Sequence, residues 1–317
     1  MTSMRNALCI KIHAMTQPKK NLFDALEKLT SNRRSAPKKA APQLSLDLWP
    51  DAVRGVPNAV LRGALFSVSQ RRTWAERELL ASVEGIEIRF TGQRFNQTDL
   101  DVWEMLVHLA RMQPMGDRVD FTAHALLKAL GRGTGKSQHK QLADEIIRLR
   151  AGTAEISWTG EQKSIIGGLV SKAYRDDETG RYIVILDQDI HKLYENGYSR
   201  VDWGQRQALG NNNLSKWLHG FYASHAKPYP YKVRTLKNLC GSNSKDLRDF
   251  RRMLKTSLAG LVKVGLITSW AIDERDLVSV VKVPTHSQQK HLDFRYLRAH
   301  GPKGILGWGL WRRDHKR

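Results

Sequence analysis

"KDLRDFRRMLKTSLAGLVKVG", Lys245 to Gly265, carries two patterns at once. Leu247, Phe250, Leu254, Leu258 and Leu261 recur every three or four residues, the spacing of one face of an α-helix. Lys245, Arg248, Arg252 and Lys255 recur at the same period on another face, with Arg251 nearby, and the only acids are Asp246 and Asp249. A solvated helix normally interleaves acids with its bases. An apolar stripe behind a cationic face instead suits a helix that lies against duplex DNA.

The flanking segments extend the pattern. Before this helix, "LSKWLHGFYASH" buries Leu214, Trp217, Leu218 and Phe221, and "TLKNLCG" is a short helix closed by Gly241. After it, "LITSWAI" and "LVSVVKV" read as strands joined by the charged turn "DERD". Helix, helix, turn, helix and β-hairpin make a winged helix-turn-helix, whose third helix enters the major groove.

The same order of elements precedes it, without a visible sequence repeat. "EIRFTG" follows Ile86 with a strand-like alternation through Ile88 and Phe90. "TDLDVWEMLVHLARM" is a helix with Thr98 as its cap, Asp101 near its positive end and Trp103, Leu106, Val107 and Ala110 on its buried face. "FTAHALLKALG" stops at Gly131, and after "RGTGK" a third helix from Ser137 buries Leu142, Ile146 and Leu149. The strand-like runs "TAEISWTG", "SIIGGLVSKAYRD" and "RYIVILDQDI" follow, with a hairpin signal at Asp176, Asp177 and Gly180. Arg132, Lys136, Gln138, His139, Lys140 and Gln141 gather where a recognition helix would meet base edges. For both cationic clusters the competing reading is an ordinary charged surface.

The expected fold is therefore α+β, with two tandem winged helix-turn-helix domains at 57–200 and 201–283. Disordered basic tails precede and follow them, at 1–42 and 284–317, and residues 43–56 form a linker. The composition agrees with a polyanionic partner: 52 Lys and Arg against 31 Asp and Glu give +21 over 317 residues. A 41% hydrophobic content supports real cores. No apolar run is long enough to span a bilayer, and no secretory signal is read at the N-terminus, so a cytoplasmic protein without a membrane partner is expected. Cys9 and Cys240 make no disulfide framework, and no Cys/His cluster has metal-ligand spacing.

Catalytic readings fail on motif detail. "GRGTGKS", Gly131 to Ser137, resembles a phosphate-binding loop, but Leu130 stands where the first glycine belongs and a helix precedes it. The histidines are scattered singly, and Tyr222, Tyr229 and Tyr231 lack the metal-binding histidine pair of a DNA nickase. No enzyme activity and no cofactor are expected.

In the linker, "QLSLDL" looks like the Gln-x-x-Leu-x-Leu/Phe peptide by which bacterial replication proteins bind the sliding clamp. Gln43 would hydrogen-bond at the edge of an apolar pocket filled by Leu46 and Leu48, with Leu44 beside them. The competing reading is a strap packed on the first domain by Leu44, Leu46 and Trp49.

From about Leu44 to Val281 the chain resembles the TrfA family of plasmid replication initiators. The resemblance lies in "QLSLDLWPD" (Gln43 to Asp51), "RGALFSV" (Arg62 to Val68), "EIRFTG" (Glu87 to Gly92), "ASHAKPYPYKV" (Ala223 to Val233) and "LCGS" (Leu239 to Ser242). It implies two winged-helix domains that bind direct repeats (iterons) in double-stranded origin DNA, help open an adjacent AT-rich segment and recruit host replication proteins. The partners it implies are the host initiator, the helicase and the sliding clamp, with single-stranded AT-rich DNA and a second copy of the chain as further candidates. A transcriptional repressor or a partition-type DNA-binding protein would use the same fold.

Overall fold

The computed structural model describes residues 49–111, 118–161 and 164–300. The chain enters through β1 (Val53–Pro57), a short helix α1 (Asn58–Leu61), β2 (Phe66–Ser67), β3 (Trp74–Leu80), β4 (Ile86–Gln93) and β5 (Phe95–Asn96). Next come α2 (Gln97–Ala110), β6 (Arg118–Thr122), α3 (Ala123–Ala129), α4 (Lys136–Ala151), β7 (Thr153–Trp158) and β8 (Ser164–Gly167). A hairpin of β9 (Val170–Asp176) and β10 (Arg181–Leu186) leads to α5 (Ile190–Glu195), β11 (Tyr198–Asp202) and α6 (Trp203–Ala208). The remainder is α7 (Asn213–Ala223), β12 (Tyr231–Lys232), α8 (Val233–Leu239), α9 (Leu247–Lys263), β13 (Ser269–Ile272), β14 (Leu277–Val281) and α10 (His286–His300).

The architecture is mixed α+β, and one plan occurs twice. A helix, a strand, two helices and a hairpin run as α2, β6, α3, α4, β9 and β10, and again as α7, β12, α8, α9, β13 and β14. In both copies the first strand pairs with the last, giving the sheet orders β6-β10-β9 and β12-β14-β13. The short helix of each copy ends on a left-handed glycine, Gly131 at φ +68 and Gly241 at φ +61, which turns the chain towards the third helix. At Gly241 a β-carbon would lie 2.8 Å from that of Ser67, so the close approach also requires glycine. The buried apolar side chains fall into two clusters, one from Trp49 to Ala223 and one from Leu209 to Val278.

The structure departs from the sequence-based expectation at several points. The cap of α2 is Asn96, not Thr98: Asn96 Oδ1 accepts from the Thr98 and Asp99 amides, while Asp99 accepts from the Asn96 amide. This reciprocal box satisfies three backbone donors, the Thr98 amide among them. The run "SIIGGLVSKAYRD" is two strands in different sheets. β8 pairs with β7 in the four-stranded order β3-β4-β7-β8, and buried Leu169 and Val170 start the hairpin strand β9. Residues 286–300, expected within a disordered tail, form α10, where Gln288 Nε2 donates to the Ala223 carbonyl at 2.7 Å and Asp293 is buried. The other tail residues, 1–42 and 301–317, and the clamp-peptide residues Gln43, Leu44, Leu46 and Leu48 lie outside the described residues.

The segment 49–56, expected within a linker, is packed, together with Pro57. β1 pairs antiparallel with β11 from Val53↔Asp202 to Pro57↔Tyr198. Trp49 is 3% exposed, stacks on Tyr194 at 6.4 Å, and donates from Nε1 to His108 Nδ1 at 3.1 Å. Its ring lies against Gly55, where any β-carbon would approach to 2.7 Å. Trp49→Ala is expected to lower the urea-unfolding free energy by about 3–5 kcal/mol, the range for a buried tryptophan truncated to alanine; a loss below about 1 kcal/mol would show that Trp49 does not anchor the segment.

Candidate nucleic-acid interface

Helix α9 separates its two faces as the spacing predicts. Phe250, Leu254, Leu258 and Leu261 are buried, with Leu247 packed at the edge of the same cluster. Asp246 caps the helix by accepting from the Arg248 amide at 2.9 Å. Lys245, Arg248, Arg252 and Lys255 are exposed. Arg252 meets Asp249 at 3.5 Å in a solvent-exposed pair that contributes little energy. Arg251 is different. Its guanidinium grips Asp276 in the β13–β14 turn with three hydrogen bonds of 2.6–3.0 Å, so it fixes the hairpin to the helix. Asp276 sits at φ +61, an uncommon conformation for a residue with a β-carbon.

Helix α4 presents fewer free groups. Lys136 and Lys140 are exposed, and Gln138 and His139 are half-buried at the start of the helix. Arg132 points inward: it donates to Glu145 Oε2 at 2.6 Å and to the Thr98 carbonyl at 3.1 Å. Gln141 donates to the other oxygen of Glu145 at 3.0 Å. Glu145 is fully buried, and Arg148 from the same helix binds Asp99 at 2.7 Å. The predicted cations thus divide into exposed groups (Lys136, Lys140, Lys245, Arg248, Arg252 and Lys255) and internal ties (Arg132 and Arg251).

Both halves meet at Asp101, on α2. Its carboxylate accepts from Arg206 Nε of α6 at 2.8 Å and from Lys216 Nζ of α7 at 2.6 Å, and Arg132 approaches to 4.0 Å. The Arg206 side chain is 1% exposed; it also lies 3.3 Å from Glu104 and donates to Gln97 Oε1 and the Lys216 carbonyl. Burial pushes the Asp101 carboxyl up, but the pull of Arg206 and Lys216 leaves it below its ordinary range. Burial pushes Glu104 up to about 7 against the opposite pull of Arg206. A polar cleft of about 560 Å³ opens beside this junction, lined by Arg132, Gln138, Gln141, Arg206, Asn211 and Lys216 among others. Among the described residues no group of His, Cys, Asp or Glu could hold a metal ion, and no helix is long and apolar enough to cross a membrane.

The family model for the TrfA protein matches residues 28–282, spanning both copies of the helix–strand–helix–helix–hairpin plan. The chain belongs to the TrfA family. It is 25% identical over 241 residues to the plasmid replication initiator protein TrfA of Escherichia coli, covering 71% of this chain and 61% of that relative's length. The crystal structure of RctB domains 2–3 superposes with a TM-score of 0.50 at 12% identity, covering 74% of this chain and 99% of that one. This likeness is one of fold.

In this TrfA-family chain the sequence pattern does not reveal Arg206, Lys216 or the depth of Asp101. Their partners lie 105 and 115 residues apart, and no local spacing reveals such pairs. "SQRR", Ser69 to Arg72, the connection between β2 and β3, carries a local signal of its own, two adjacent arginines beside a glutamine. The buried junction and the helix ends make stability depend on pH. Burial lowers His219 to about 3 and His225 to about 4, and burial with Arg54 and Arg111 lowers His108 to about 4. These values lie below the unfolded 6.5, so their contribution is present above pH 6.5 and lost as pH falls through about 4. Glu104 runs oppositely: its contribution is full below pH 4.5 and lost as pH rises through about 7. With three groups against one, the melting temperature should fall as pH is lowered from 6.5 to 4.5, and His219→Gln should flatten that fall. A melting temperature that rises over this interval would contradict the neutral burial of these histidines.

Proposed function

We propose that this chain is a plasmid replication initiator that reads direct repeats in duplex origin DNA with two winged helix-turn-helix units. In each, α4 or α9 is the recognition helix and the β9–β10 or β13–β14 hairpin is the wing. The observation that carries this reading is α9: a helix buried on one side, with Arg248, Arg252 and Lys255 exposed on the other and Arg251 locking the hairpin beside it. The repeat of the same plan around α4, the family membership and the net charge of +21 support it. Gln138 and His139, at the start of α4, are the first unit's candidates for base edges, with Lys136 and Lys140 for phosphates.

Binding in this reading strains the adjacent AT-rich DNA and brings host replication proteins to it, without chemistry on the strand by this chain. The sliding clamp is one such partner, held by Gln43, Leu44, Leu46 and Leu48. Trp49, the next residue in the chain, is buried in the folded body.

The test uses a fluorescein-labelled duplex recovered from a random library by selection on the full chain. Arg248→Ala, Arg252→Ala and Lys255→Ala should each weaken binding, and each lost phosphate contact should reduce the log–log salt slope by about one unit. Their melting temperatures should stay unchanged, because all three side chains are exposed. Unchanged affinity in all three variants would refute α9 as a recognition helix.

A further inference from the structure

We propose that Gln70 and Arg71 form a third contact with duplex DNA, between the two recognition helices, with Arg71 neutralising a backbone phosphate. The inference rests on the reading of α4 and α9 as recognition helices. Its basis is how the β2–β3 connection is held. At its start the second half grips it: the Val68 amide donates to the Cys240 carbonyl at 2.9 Å, Asn213 Nδ2 donates to the Val68 carbonyl at 3.2 Å, and Asn243 Nδ2 donates to Ser69 Oγ at 2.8 Å. Cys240 and Asn243 flank the turn that leads into α9. At its end the first half grips it: Arg72 pairs with Asp99 at 2.9 Å, and the same carboxylate binds Arg148 of α4 at 2.7 Å.

Two residues remain between these fixed points, Gln70 and Arg71, and both are exposed. Gln70 lines the cleft of about 560 Å³ with Arg132, Gly133 and Gln138 on the α4 side. It also lines a cleft of about 780 Å³ with Ser244, Arg252 and Thr256 on the α9 side. Arg71 lines a third, of about 280 Å³, with Lys237 and Asn243 beside the turn before α9. Among the described residues Arg71 has no ion pair, whereas its neighbour Arg72 is paired with a buried carboxylate. The tether therefore keeps an unneutralised cation on the surface that joins the two helix-turn-helix turns.

A protein that reads two successive major-groove segments from one side must cross the sugar–phosphate backbone and minor groove between them. A cation fixed at the crossing releases a counterion on binding, and a neutral amide adds a hydrogen bond without changing charge. The two side chains thus make different predictions. Arg71 sets part of the salt dependence, and Gln70 does not.

The experiment measures full-chain affinity against salt on a labelled duplex selected as above, with Arg252→Ala alongside. Arg71→Ala should weaken binding about three- to tenfold and reduce the salt slope by about one unit. Arg71→Lys should restore the slope, and Gln70→Ala should weaken binding with the slope intact. Melting temperatures should not change. If Arg252→Ala lowers the slope but Arg71→Ala does not, the third contact is wrong and the recognition-helix reading stands. If Arg71→Ala and all three of Arg248→Ala, Arg252→Ala and Lys255→Ala leave binding and slope unchanged, both are wrong.

Discussion

Asp101 is the charge on which the two halves of the chain converge. It lies buried on α2, in the first copy of the repeated plan, and is neutralised by Arg206 and Lys216 from the segment that opens the second. Two cations around one desolvated carboxylate are hard to separate, since removing one partner of a buried pair typically costs about 3–5 kcal/mol. Sliding one half against the other would break these hydrogen bonds around a desolvated carboxylate. The cluster therefore acts as a register pin. Beside it, the Trp217 indole donates to the Gly63 carbonyl at 3.0 Å, and a β-carbon at Gly220 would lie 2.7 Å from Leu61 Cδ2.

The pin gives the inward-facing arginines their role. Arg132 ties the turn before α4 to Glu145 and to the α2 backbone, Arg148 ties α4 to Asp99, and Arg251 ties α9 to its hairpin. Each of these guanidiniums is paired with a carboxylate and so holds the element that carries the neighbouring exposed side chains. In the proposed reading, two recognition helices fixed on one body lose translational and rotational freedom once for two sets of contacts, which is the advantage of preorganisation.

Local periodicity made the helices legible. The stripe Phe250, Leu254, Leu258, Leu261 is a property of consecutive turns, and its burial follows from spacing alone. The glycines at 131 and 241 marked their turns for the same local reason. What stayed hidden depends on distant partners. Residues 53–57 form a strand because Tyr198–Asp202 returns to pair with them, and Trp49 is buried because Tyr194 and His108 come to meet it. The ion pairs of Arg132 and Arg251 were hidden too, because a cation near a helix start looks the same in sequence whether or not a carboxylate faces it. At residues 286–300 a basic composition concealed a helix held by Gln288 on the end of α7.

Hydroxyl-radical footprinting of the full chain on its selected duplex reads whether two recognition helices meet the DNA in one register. Two protected segments on one face of the DNA, about one helical turn or about 10 base pairs apart, are predicted. A single protected segment, or two on opposite faces, would contradict it.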